Sequence, residues 1–561
     1  MAKQLIECVP NFSDGVNADI IQQITDEIQK IEGVKLLDVD PGKATNRTVV
    51  TLVGEPAPVI EAAYQAIKKA GTLIDMTKHS GEHPRMGATD VCPLIPIANI
   101  TMEETAKYAH QLAKRVGADL SIPVYMYEAA ATRPERQNLA TIRAGEYEGL
   151  PQKLKDPNWK PDYGPTQFNA RSGATAIGAR DFLIAYNINL NTTSVRRANS
   201  VAFDIREKGR LKRKGDPING PVVKDRKGNP KRTLGACKGV KAIGWFIEEY
   251  GVAQISMNIT NIRTTPLHEA FEACRKSASK RGMRVTGSEL VGLVPLEVML
   301  TTGRFFLEQQ QRSVGVSESE LIKIAIKSLG LDELGEFDPQ KKIIEYQLKS
   351  LADAPLVGST LGEFADETAS ESPAPGGGSI AAYVGALGVS LAVMVANLSS
   401  HKRGWDNRWQ TFSEAAAKGQ KIKDRLLQLV DEDTAAFNGI MEAFRLPKSS
   451  KPEKEARTAA IEAATRNAIE IPYAVMEECL SSFELILDMA KNGNPNSISD
   501  AGVGALCART AIHGAYLNVK INVSGLKDKA YAKKVVKNGL AIIKKADRFE
   551  KEVLKIVYKG I

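Results

Sequence analysis

Apolar residues repeat with two different periods over the first part of the chain, and each period predicts one kind of element. Alternation with a period of two, which is typical of strands, predicts strands at Leu5–Val9, Val34–Val39, Arg47–Val53, Val91–Ile97 and Pro123–Tyr127. A period near 3.6, which is typical of helices, predicts helices at Asn17–Ile31, Pro56–Ala70 and Met102–Val116. The order β-α-β-β-α-β is that of the ferredoxin-like arrangement.

The same succession of elements begins again in the next part of the chain. Strands are predicted at Phe182–Leu190, Val240–Ile247, Val252–Ile259 and Met283–Glu289, and helices at Ser194–Glu207 and Leu267–Ser279. We therefore predict two ferredoxin-like α/β lobes, residues 1–178 and 179–330. Paired lobes of this kind usually meet over a cleft, and clefts between lobes bind small molecules.

The pattern changes at residues 331–375, which contain 10 Asp and Glu against 3 Lys and end in a Pro-, Ser- and Gly-rich run. This composition is typical of a linker between domains. Beyond it the helical period dominates, and helices are predicted at Ser379–Ser399, Trp409–Arg445, Lys454–Cys479, Phe483–Asn492, Ser499–Asn518 and Asp528–Val557. Residues 376–561 are therefore predicted to form an all-α helical bundle. The predicted fold class is multidomain, α/β followed by all-α.

Positive charge is concentrated in one segment of an otherwise neutral chain. The 561 residues carry a formal net charge of +9, which by itself favours an acidic partner. Residues 206–241 hold 13 Lys and Arg against 3 Asp and Glu, so this basic segment accounts for the whole excess. Gly and Pro punctuate the basic segment and predict an exposed hairpin or loop. Since it contains no aromatic residue, it is poorly suited to nucleic-acid binding by base stacking.

Two further features indicate where in the cell the protein is found. The six cysteines lie far apart without a C-x-x-C pair, and no long apolar run precedes Glu7, so we expect a cytoplasmic protein with free thiols. The stretch Ile380–Leu398 is uncharged over 19 residues, close to the length of a membrane span. Its many Ala and Gly residues favour the central helix of a bundle, so no membrane span is predicted.

A loop between a predicted helix and the strand at Val91 holds the densest set of titratable groups in the first part. The run His79–Gly87 contains two histidines, a glutamate and an arginine, and imidazole groups exchange protons near neutral pH. Gly81 and Pro84 oppose the helix that would bring both histidines to one metal ion, so no metal is expected. A solvated polar loop is the alternative interpretation.

The turn at Asp40-Pro41-Gly42 carries a second candidate. Asp38 and Asp40 share one face of the predicted strand, because side chains alternate along it. Asp40 ends the strand, where its carboxylate is suited to orient a histidine across the cleft. An aspartate favoured by turn geometry before Pro-Gly is the alternative.

In the helical part, one aspartate lies within an apolar stripe. The stripe has spacings of three and four residues and consists of Leu426, Val430, Asp433, Phe437 and Met441. Asp431 and Glu432 fall off this stripe. A carboxyl group on a buried face needs a partner or a shifted pKa, and such groups are enriched at functional sites. The alternative is an acid tolerated at the edge of the core.

Other polar groups lie at helix ends and along one helix of the same part. Gly376, Gly377 and Gly378 open the apolar helix, whose free N–H groups can hold an anion or a pterin carbonyl; the end of a flexible linker has the same composition. Asp500 is a candidate ligand or an ordinary residue of a helix N terminus. Asn518 and Asn522 share a helix face, as bundle contacts or as pterin ligands.

Several runs in the first part closely resemble glutamate formimidoyltransferases. These runs are Glu7–Ser13, Leu36–Asp40, Gly81–Gly87 and Arg143–Glu148, and the resemblance covers about residues 1–330. The second part resembles a cyclodeaminase through Pro375–Ser379, Asp431–Phe437, Ser499–Ala505 and Gly514–Val519. The order of the parts matches the fused formimidoyltransferase-cyclodeaminase family of histidine breakdown. The chain departs from mammalian members at residues 210–235, where they have a shorter connection.

The resemblance implies roles for individual residues. It makes His83 the catalytic residue of the transferase with Asp40 as its assistant, and Asp433 the catalytic carboxyl of the cyclodeaminase. It places folate contacts at Gly164, Pro165, Thr166, Gln167, Phe168, Asn169, Ala170, Arg171, Ser172 and Gly173. Arg47 and Arg85 are candidate partners of a substrate carboxylate, because a guanidinium binds a carboxylate in bidentate geometry.

The implied reactions are a group transfer followed by a cyclisation. The formimino group of N-formimino-L-glutamate passes to N5 of tetrahydrofolate, and the product closes to 5,10-methenyltetrahydrofolate with release of ammonia. Tetrahydrofolate acts as a co-substrate, expected to carry a polyglutamate tail that the basic segment binds. The expected partners are these small molecules, with no nucleic acid and no membrane, and the expected assembly is a homo-oligomer.

Two other classes of protein are alternatives at this stage. A nucleic-acid-binding protein would use the basic segment and bind with a steep salt dependence. An interaction scaffold with vestigial catalytic residues would perform neither reaction.

Overall fold

A computed structural model describes residues 4–42, 46–81, 84–215, 220–348 and 355–561. The chain divides into two compact units. The α/β unit comprises Met1–Val298 and Leu329–Leu348, and the helical unit comprises Met299–Ser328 and Lys349–Ile561.

The described strands all belong to the α/β unit. They are β1 (Leu5–Cys8), β2 (Asn11–Phe12), β3 (Val34–Gly42), β4 (Arg47–Gly54), β5 (Thr89–Ala98), β6 (Val124–Glu128), β7 (Thr175–Ala179), β8 (Ile184–Leu190), β9 (Arg210–Leu211), β10 (Arg232–Thr233), β11 (Val240–Ile247), β12 (Val252–Ile259) and β13 (Val285–Val291).

The described α-helices run through both units. They are α1 (Ala18–Gln29), α2 (Pro56–Leu73), α3 (Met102–Leu120), α4 (Leu139–Arg143), α5 (Glu146–Lys153), α6 (Val195–Ile205), α7 (Leu267–Ser279), α8 (Leu296–Gln309), α9 (Glu318–Leu329), α10 (Pro339–Lys342), α11 (Ile344–Leu348), α12 (Leu361–Thr368), α13 (Gly377–Ser400), α14 (Trp409–Arg445), α15 (Lys451–Asn492), α16 (Ile498–Asn522) and α17 (Lys529–Gly560).

The first lobe is a mixed sheet with helices packed on one face. Both β1 and β2 pair with β4 and β5, so they occupy one position in the sheet. The order is β3, β4, β1 with β2, β5, β7, β6, antiparallel up to β5 and parallel beyond it. Ile6 and Cys8 pack with apolar residues of α1, α2 and α3. Because side chains alternate along a strand, Glu7 faces away from that core.

The second lobe repeats the arrangement in a smaller sheet. Its strands have the order β11, β12, β8, β13 and are all antiparallel, with α6 and α7 packed against them. The antiparallel part of the first sheet and the whole second sheet share one order, the second, third, first and fourth strand, with β1 and β2 counted as one strand and β9 and β10 in a sheet of their own. The predicted strand and helix succession of both lobes is therefore observed. Helices α8 and α9 were not anticipated from the sequence.

The basic segment forms a hairpin, as predicted. Strands β9 and β10 pair antiparallel at its base. Between them, isolated antiparallel bridges join Arg213 to Val222 and then Lys224 to Pro230, so each bridge closes a shorter stretch of the chain. Within its described residues, the exposed side chains include Lys212, Lys214, Lys224, Arg226, Lys227, Lys231 and Arg232.

The helical unit is a bundle around α13, which packs against α14, α15 and α16. Small residues allow close crossings: a β-carbon at Gly388 would lie 2.9 Å from the carbonyl oxygen of Gly504. The predicted helices Lys454–Cys479 and Phe483–Asn492 are one continuous helix, α15. The predicted interruption was wrong because the residues between them include neither Gly nor Pro. Residues of the predicted linker form α10, α11 and α12.

Helix α13 is the one helix in the described part of the chain that is long and apolar enough to cross a membrane, and 61% of its most apolar window is buried within the structure. Such burial is typical of the central helix of a bundle.

Candidate active sites

The two lobes of the α/β unit enclose a cleft of about 680 Å³. Strands β1, β3, β4 and β5 line it from the first lobe, and β8, β11 and β12 from the second. A cleft between the lobes was predicted from their repetition. Its charged and amide side chains are Glu7, Asn11, Asp38, Asp40, Arg47, Arg143, Arg180 and Asn258.

Asp38 and Asp40 line the same cleft, so they share one face of β3, as their spacing predicted. In the register of the sheet, Asp38 lies opposite Thr51 and Asp40 opposite Val49. Burial raises the pKa of Asp38, and the negative charge of Asp40 raises it further, while Lys342 acts in the opposite direction. The pair therefore places two carboxyl groups on one wall of the cleft, the arrangement that acid–base chemistry uses.

Arg47 begins β4, directly opposite Gly42 at the end of β3. Its Nη1 donates a hydrogen bond of 2.9 Å to Oδ1 of Asn11. Burial lowers the pKa of Arg47, and the nearby charge of Arg143 lowers it further. An arginine remains protonated in proteins, so Arg47 brings a desolvated positive charge to the end of the cleft that holds Asp40.

The loop that contains His83 is described only on both sides of it, since Glu82 and His83 lie outside the described residues. Nε of Arg85 donates to Nδ1 of His79 at 3.2 Å, so the proton of His79 is on Nε2, which lies 2.9 Å from the carbonyl oxygen of Asn46. Asn46 precedes Arg47. On the other side, Oγ of Ser13 donates to the carbonyl oxygen of Gly87 at 2.7 Å. Both flanks of the loop are thus attached to the first sheet, one next to the start of β4 and the other next to the end of β2.

Arg85 is held by carboxylates of its own unit. Its Nη1 and Nη2 donate to the two carboxyl oxygens of Glu148 at 2.9 and 2.7 Å, and Nη1 also reaches Glu146 at 3.2 Å. The Arg85 side chain is only 10% exposed. This geometry favours a role in holding the loop, and the contact of Arg85 with a substrate carboxylate stays a prediction.

A buried ion pair supports the cleft, and sequence reasoning missed it. Asp90 is fully buried, pairs with Arg143, and accepts a 2.9 Å hydrogen bond from the backbone N–H of Met86. Arg143 lines both the cleft and an adjoining cavity of about 660 Å³. The one signal in the sequence is that Arg143 begins Arg143–Glu148, one of the runs that carry the resemblance.

The predicted folate segment, residues 164–173, lies beside the loop rather than along the lining of the two cavities described above. Gly173 forms a backbone bridge with Gly87. The hydroxyl of Tyr147 donates to the carbonyl oxygen of Ala170 at 2.6 Å, and its ring lies 5.6 Å from that of Phe168. The segment is therefore next to the residues that flank His83, and its contact with folate stays a prediction.

In the helical unit, Asp433 lies against the first turn of α13. Oγ of Ser379 lies 3.2 Å from Oδ2 of Asp433, and the backbone N–H of Ser379 also donates to this carboxylate. A β-carbon at Gly378 would lie 2.5 Å from the carboxyl carbon of Asp433. The structure thus brings Gly378 and Asp433 together. Because Gly378 has no side chain, the carboxylate of Asp433 can occupy the space next to it.

Burial raises the pKa of Asp433, whereas the hydrogen bonds from Ser379 lower it; burial is the larger effect. The two neighbouring acids are engaged elsewhere: Asp431 accepts from the backbone N–H of Leu356 at 2.9 Å, and Glu432 pairs with Arg425. Along the predicted apolar stripe, Leu426 and Val430 are buried but Met441 is 42% exposed. Asp433 therefore lies where the buried part of the stripe ends.

The three candidate residues of α16 have different surroundings. The side-chain amide of Asn518 would lie 3.2 Å from a β-carbon at Gly377, which places it beside the glycine run. Nδ2 of Asn522 donates to the carbonyl oxygen of Ala468 at 2.7 Å and is a bundle contact. Asp500 lies in the first turn of α16, about five turns or roughly 27 Å from Asn518 along the helix. Its role as a substrate ligand stays a prediction.

The described residues contain no group of three or more His, Cys, Asp or Glu side chains placed to hold one metal ion.

A charged cleft in a two-lobed α/β unit and a carboxylate at a helix N terminus in a separate bundle define an enzyme with two sites in one chain. Three family models match: "Formiminotransferase domain, N-terminal subdomain" at residues 5–180, "Formiminotransferase domain" at 185–349 and "Formiminotransferase-cyclodeaminase" at 360–539. Together they cover both units.

Individual relatives give the same result. The chain is 41% identical to formimidoyltransferase-cyclodeaminase of Mus musculus, over 95% of this chain and 94% of the relative. It is 40% identical to that of Dictyostelium discoideum, over 99% of both chains. Over 55% of its length, it aligns at 42% identity with glutamate formimidoyltransferase of Streptococcus pyogenes serotype M1, of which 94% is covered. The chain belongs to the formimidoyltransferase-cyclodeaminase family, and it is a bifunctional enzyme that combines both parts.

Proposed function

We propose that the α/β unit transfers the formimino group of N-formimino-L-glutamate to N5 of tetrahydrofolate. The helical unit then cyclises the 5-formimino product to 5,10-methenyltetrahydrofolate and releases ammonia. The observation that carries the proposal is the presence of a separate polar site in each unit of a chain that belongs to this family over its whole length.

In the transfer, N5 of tetrahydrofolate attacks the formimino carbon and loses its proton. The bond between that carbon and the glutamate nitrogen then breaks, and the departing nitrogen takes up a proton. His83 serves as the base and then as the acid, because one imidazole can do both in turn. Asp40 assists by orienting His83 and stabilising its charge. The attachment of the loop near Arg47, one strand away from Asp40, supports this assignment.

Arginines of the cleft are proposed to bind the carboxylates of the glutamate substrate. Arg47 lies at the Asp40 end, and Arg143 adds a second guanidinium to the same cleft. Bidentate pairing with a carboxylate suits both side chains. Arg85 instead holds the loop through Glu148. Residues 164–173, next to that loop, are proposed to contact folate.

In the cyclisation, N10 attacks the carbon of the 5-formimino group, and the former imino nitrogen leaves as ammonia. Asp433 supplies the proton that this nitrogen requires, since a carboxyl group with a raised pKa stays protonated to higher pH. The backbone N–H groups of Gly376, Gly377 and Gly378, at the positive end of α13, hold an anionic or carbonyl group of the folate.

Four broader assignments belong to the same proposal. The lobes are ferredoxin-like, which their common strand order supports. The enzyme acts in histidine degradation in the cytoplasm, which the resemblance of its motifs supports. It assembles as a homo-oligomer, which is supported by exposed apolar residues on α13 and α16, namely Leu387, Leu398, Val503 and Leu506.

The basic segment is proposed to bind the polyglutamate tail of the folate. Its exposed lysines and arginines supply charge without aromatic residues, which suits a flexible polyanion. The backbone N–H of Lys212 donates to the carbonyl oxygen of Lys231 at 2.9 Å. A two-residue turn that joins these positions therefore shortens the hairpin and keeps the pairing of β9 with β10 at its base.

The hairpin is tested by comparing the shortened variant with the full chain on mono- and pentaglutamyl tetrahydrofolate. We expect the shortened variant to lose the preference for the longer tail, and a variant with Gln at Lys214, Lys224 and Lys227 to lose it in part. An unchanged preference contradicts this role of the basic segment.

The central function is tested by incubating the purified protein with N-formimino-L-glutamate and tetrahydrofolate. Equal amounts of glutamate, ammonia and 5,10-methenyltetrahydrofolate are expected. Production of none of the three rejects the proposal and favours the scaffold alternative. Retention on RNA or DNA with a steep salt dependence would favour the nucleic-acid alternative.

A further inference from the structure

Glu7 is a buried acid in the cleft for which the proposed mechanism has no use. It lies on β1, lines the cleft and is only 2% exposed. Within the described part of the chain, its carboxyl group has no hydrogen-bond or ion-pair partner. A buried polar group without a partner is costly and uncommon. A ligand that donates hydrogen bonds to Glu7 would remove this cost.

The charges around Glu7 allow it to become an anion when such a ligand binds. Burial raises the pKa of Glu7 to about 7, Arg180 at the end of β7 lowers it, and Glu345 on α11 raises it. At neutral pH the protonated and ionised forms of the Glu7 carboxyl group are therefore of similar free energy. An ionised carboxylate has two acceptor oxygens and no donor, so the ligand must present N–H or O–H groups.

The position of Glu7 indicates which part of a substrate it faces. Glu7 precedes Asn11 by four residues along the same edge of the cleft, which corresponds to roughly 13 Å at the rise of an extended chain. Asn11 is the partner of Arg47, near the loop of His83. The reacting atoms belong at that end, so Glu7 faces a part of the substrate that does not react. Trp245 and Phe182 also line the cleft, and aromatic rings favour a planar ligand.

We propose that the carboxylate of Glu7 accepts two hydrogen bonds from the pterin ring of tetrahydrofolate, one from the 2-amino group and one from N3–H. This assignment rests on the proposed transferase function of the α/β unit. The two donors are adjacent and parallel, the arrangement that fits two carboxylate oxygens. N5, the atom that receives the formimino group, belongs to the other ring of the bicyclic pterin, so it lies further from Glu7 than the two donors do, towards Asn11 and the loop.

The glutamate substrate is a poorer candidate for this position. Its two carboxylates would be repelled by ionised Glu7. Its formimino group must reach the atoms at the Asp40 end of the cleft. Glu7 is therefore a residue that selects and orients the folate, and its removal is expected to weaken folate use more than use of N-formimino-L-glutamate.

The test compares tetrahydrofolate with its 2-deamino-2-methyl analogue, which keeps the shape of the ring but lacks the amino donor. Wild-type enzyme is expected to use the analogue with a transferase kcat/KM at least about 30-fold lower, because a site built for a donor rejects a ligand without one. Glu7→Gln is expected to lower kcat/KM for tetrahydrofolate and to use the two folates within about threefold of each other. Glu61→Gln, on the surface of the same unit, should retain the wild-type preference.

Each outcome decides the assignment. A wild-type enzyme that transfers the formimino group equally well to both folates overturns it, as does a Glu7→Gln enzyme that keeps the wild-type preference. If Glu7→Gln does not fold, Glu7→Asp replaces it; this variant withdraws the carboxylate by one methylene and should lose most of the preference. Full preference in Glu7→Asp also overturns the assignment. A wild-type chain without transferase activity rejects the proposed function instead.

Discussion

The carboxylate of Asp433 occupies the space that a side chain at Gly378 would fill. A β-carbon at position 378 would lie 2.5 Å from the carboxyl carbon of Asp433, which is far inside van der Waals contact. The two residues are far apart in sequence, yet each requires the other: the glycine opens the first turn of α13, and the acid enters it from α14.

Gly378→Ala should therefore displace Asp433. We expect ammonia release to fall by at least about 100-fold, equivalent to roughly 2.7 kcal/mol of activation free energy, while formimino transfer is unchanged. Gly439→Ala is the matched control on α14, because nothing lies within 4 Å of its added β-carbon. That variant should stabilise the helix by up to about 1 kcal/mol and keep both activities. Equal cyclodeaminase activity in the two variants would contradict the role of Gly378.

The stability of the helical unit should depend on the ionisation of Asp433. Burial raises the pKa of this group in the folded protein, so the folded state binds its proton more tightly than the unfolded state. Stability then falls as pH rises from the ordinary range of an Asp pKa through the raised value. Asp433→Asn, which cannot ionise, should have a higher Tm than wild type at neutral pH, and this difference should shrink towards pH 3. A lower Tm at neutral pH would argue against a desolvated carboxyl.

The Arg85–Glu148 pair should matter for catalysis more than for stability. Glu148 is 65% exposed, and exposed pairs contribute about 0–1 kcal/mol. Glu148→Gln nevertheless loosens the guanidinium that holds the loop on either side of His83. We expect transferase kcat to fall by about tenfold, roughly 1.4 kcal/mol, with little change in Tm. Glu61→Gln breaks an exposed pair with Arg115 in the same unit and should leave kcat unchanged; equal kcat in both variants would show that the loop does not depend on Glu148.

The Asp90–Arg143 pair should matter both for catalysis and for stability. Asp90→Ala leaves Arg143 without its buried partner, which typically costs about 3–5 kcal/mol, and should raise the KM for N-formimino-L-glutamate. The double variant Asp90→Ala/Arg143→Met removes both charges and should recover much of the free energy of unfolding without recovering the KM. The measurements are thermal unfolding of the α/β unit and transferase kinetics. A double variant with wild-type KM would exclude Arg143 from substrate binding.

The architecture was largely predictable, because it depends on local periodicity. The alternation in β3 and β4 and the repetition of the same order in the second lobe indicated paired sheets. The stripe around Asp433 indicated a half-buried carboxyl. Local pattern failed where no Gly or Pro marked a change, as in α15, which was divided in two, and where helices carried no distinctive motif, as in α8 and α9.

Site residues were predictable only where they lie close together in the sequence. Glu7 lies in one of the runs that carry the resemblance, but the alternation of one strand does not show that it faces a cleft lined by a second lobe. Asp90 is separated from Arg143 by more than a strand and a helix, so their pairing is invisible in the sequence. The spacing of Asp38 and Asp40 needed only the alternation of one strand, and both do line the cleft.

The most direct test of two independent sites in one chain is a reciprocal pair of variants, His83→Ala and Asp433→Asn, each assayed for both reactions. The first should lose formimino transfer and still cyclise supplied 5-formiminotetrahydrofolate, whereas the second should transfer the group and release no ammonia. Loss of both activities in either variant, or retention of both, would contradict the assignment of one reaction to each unit.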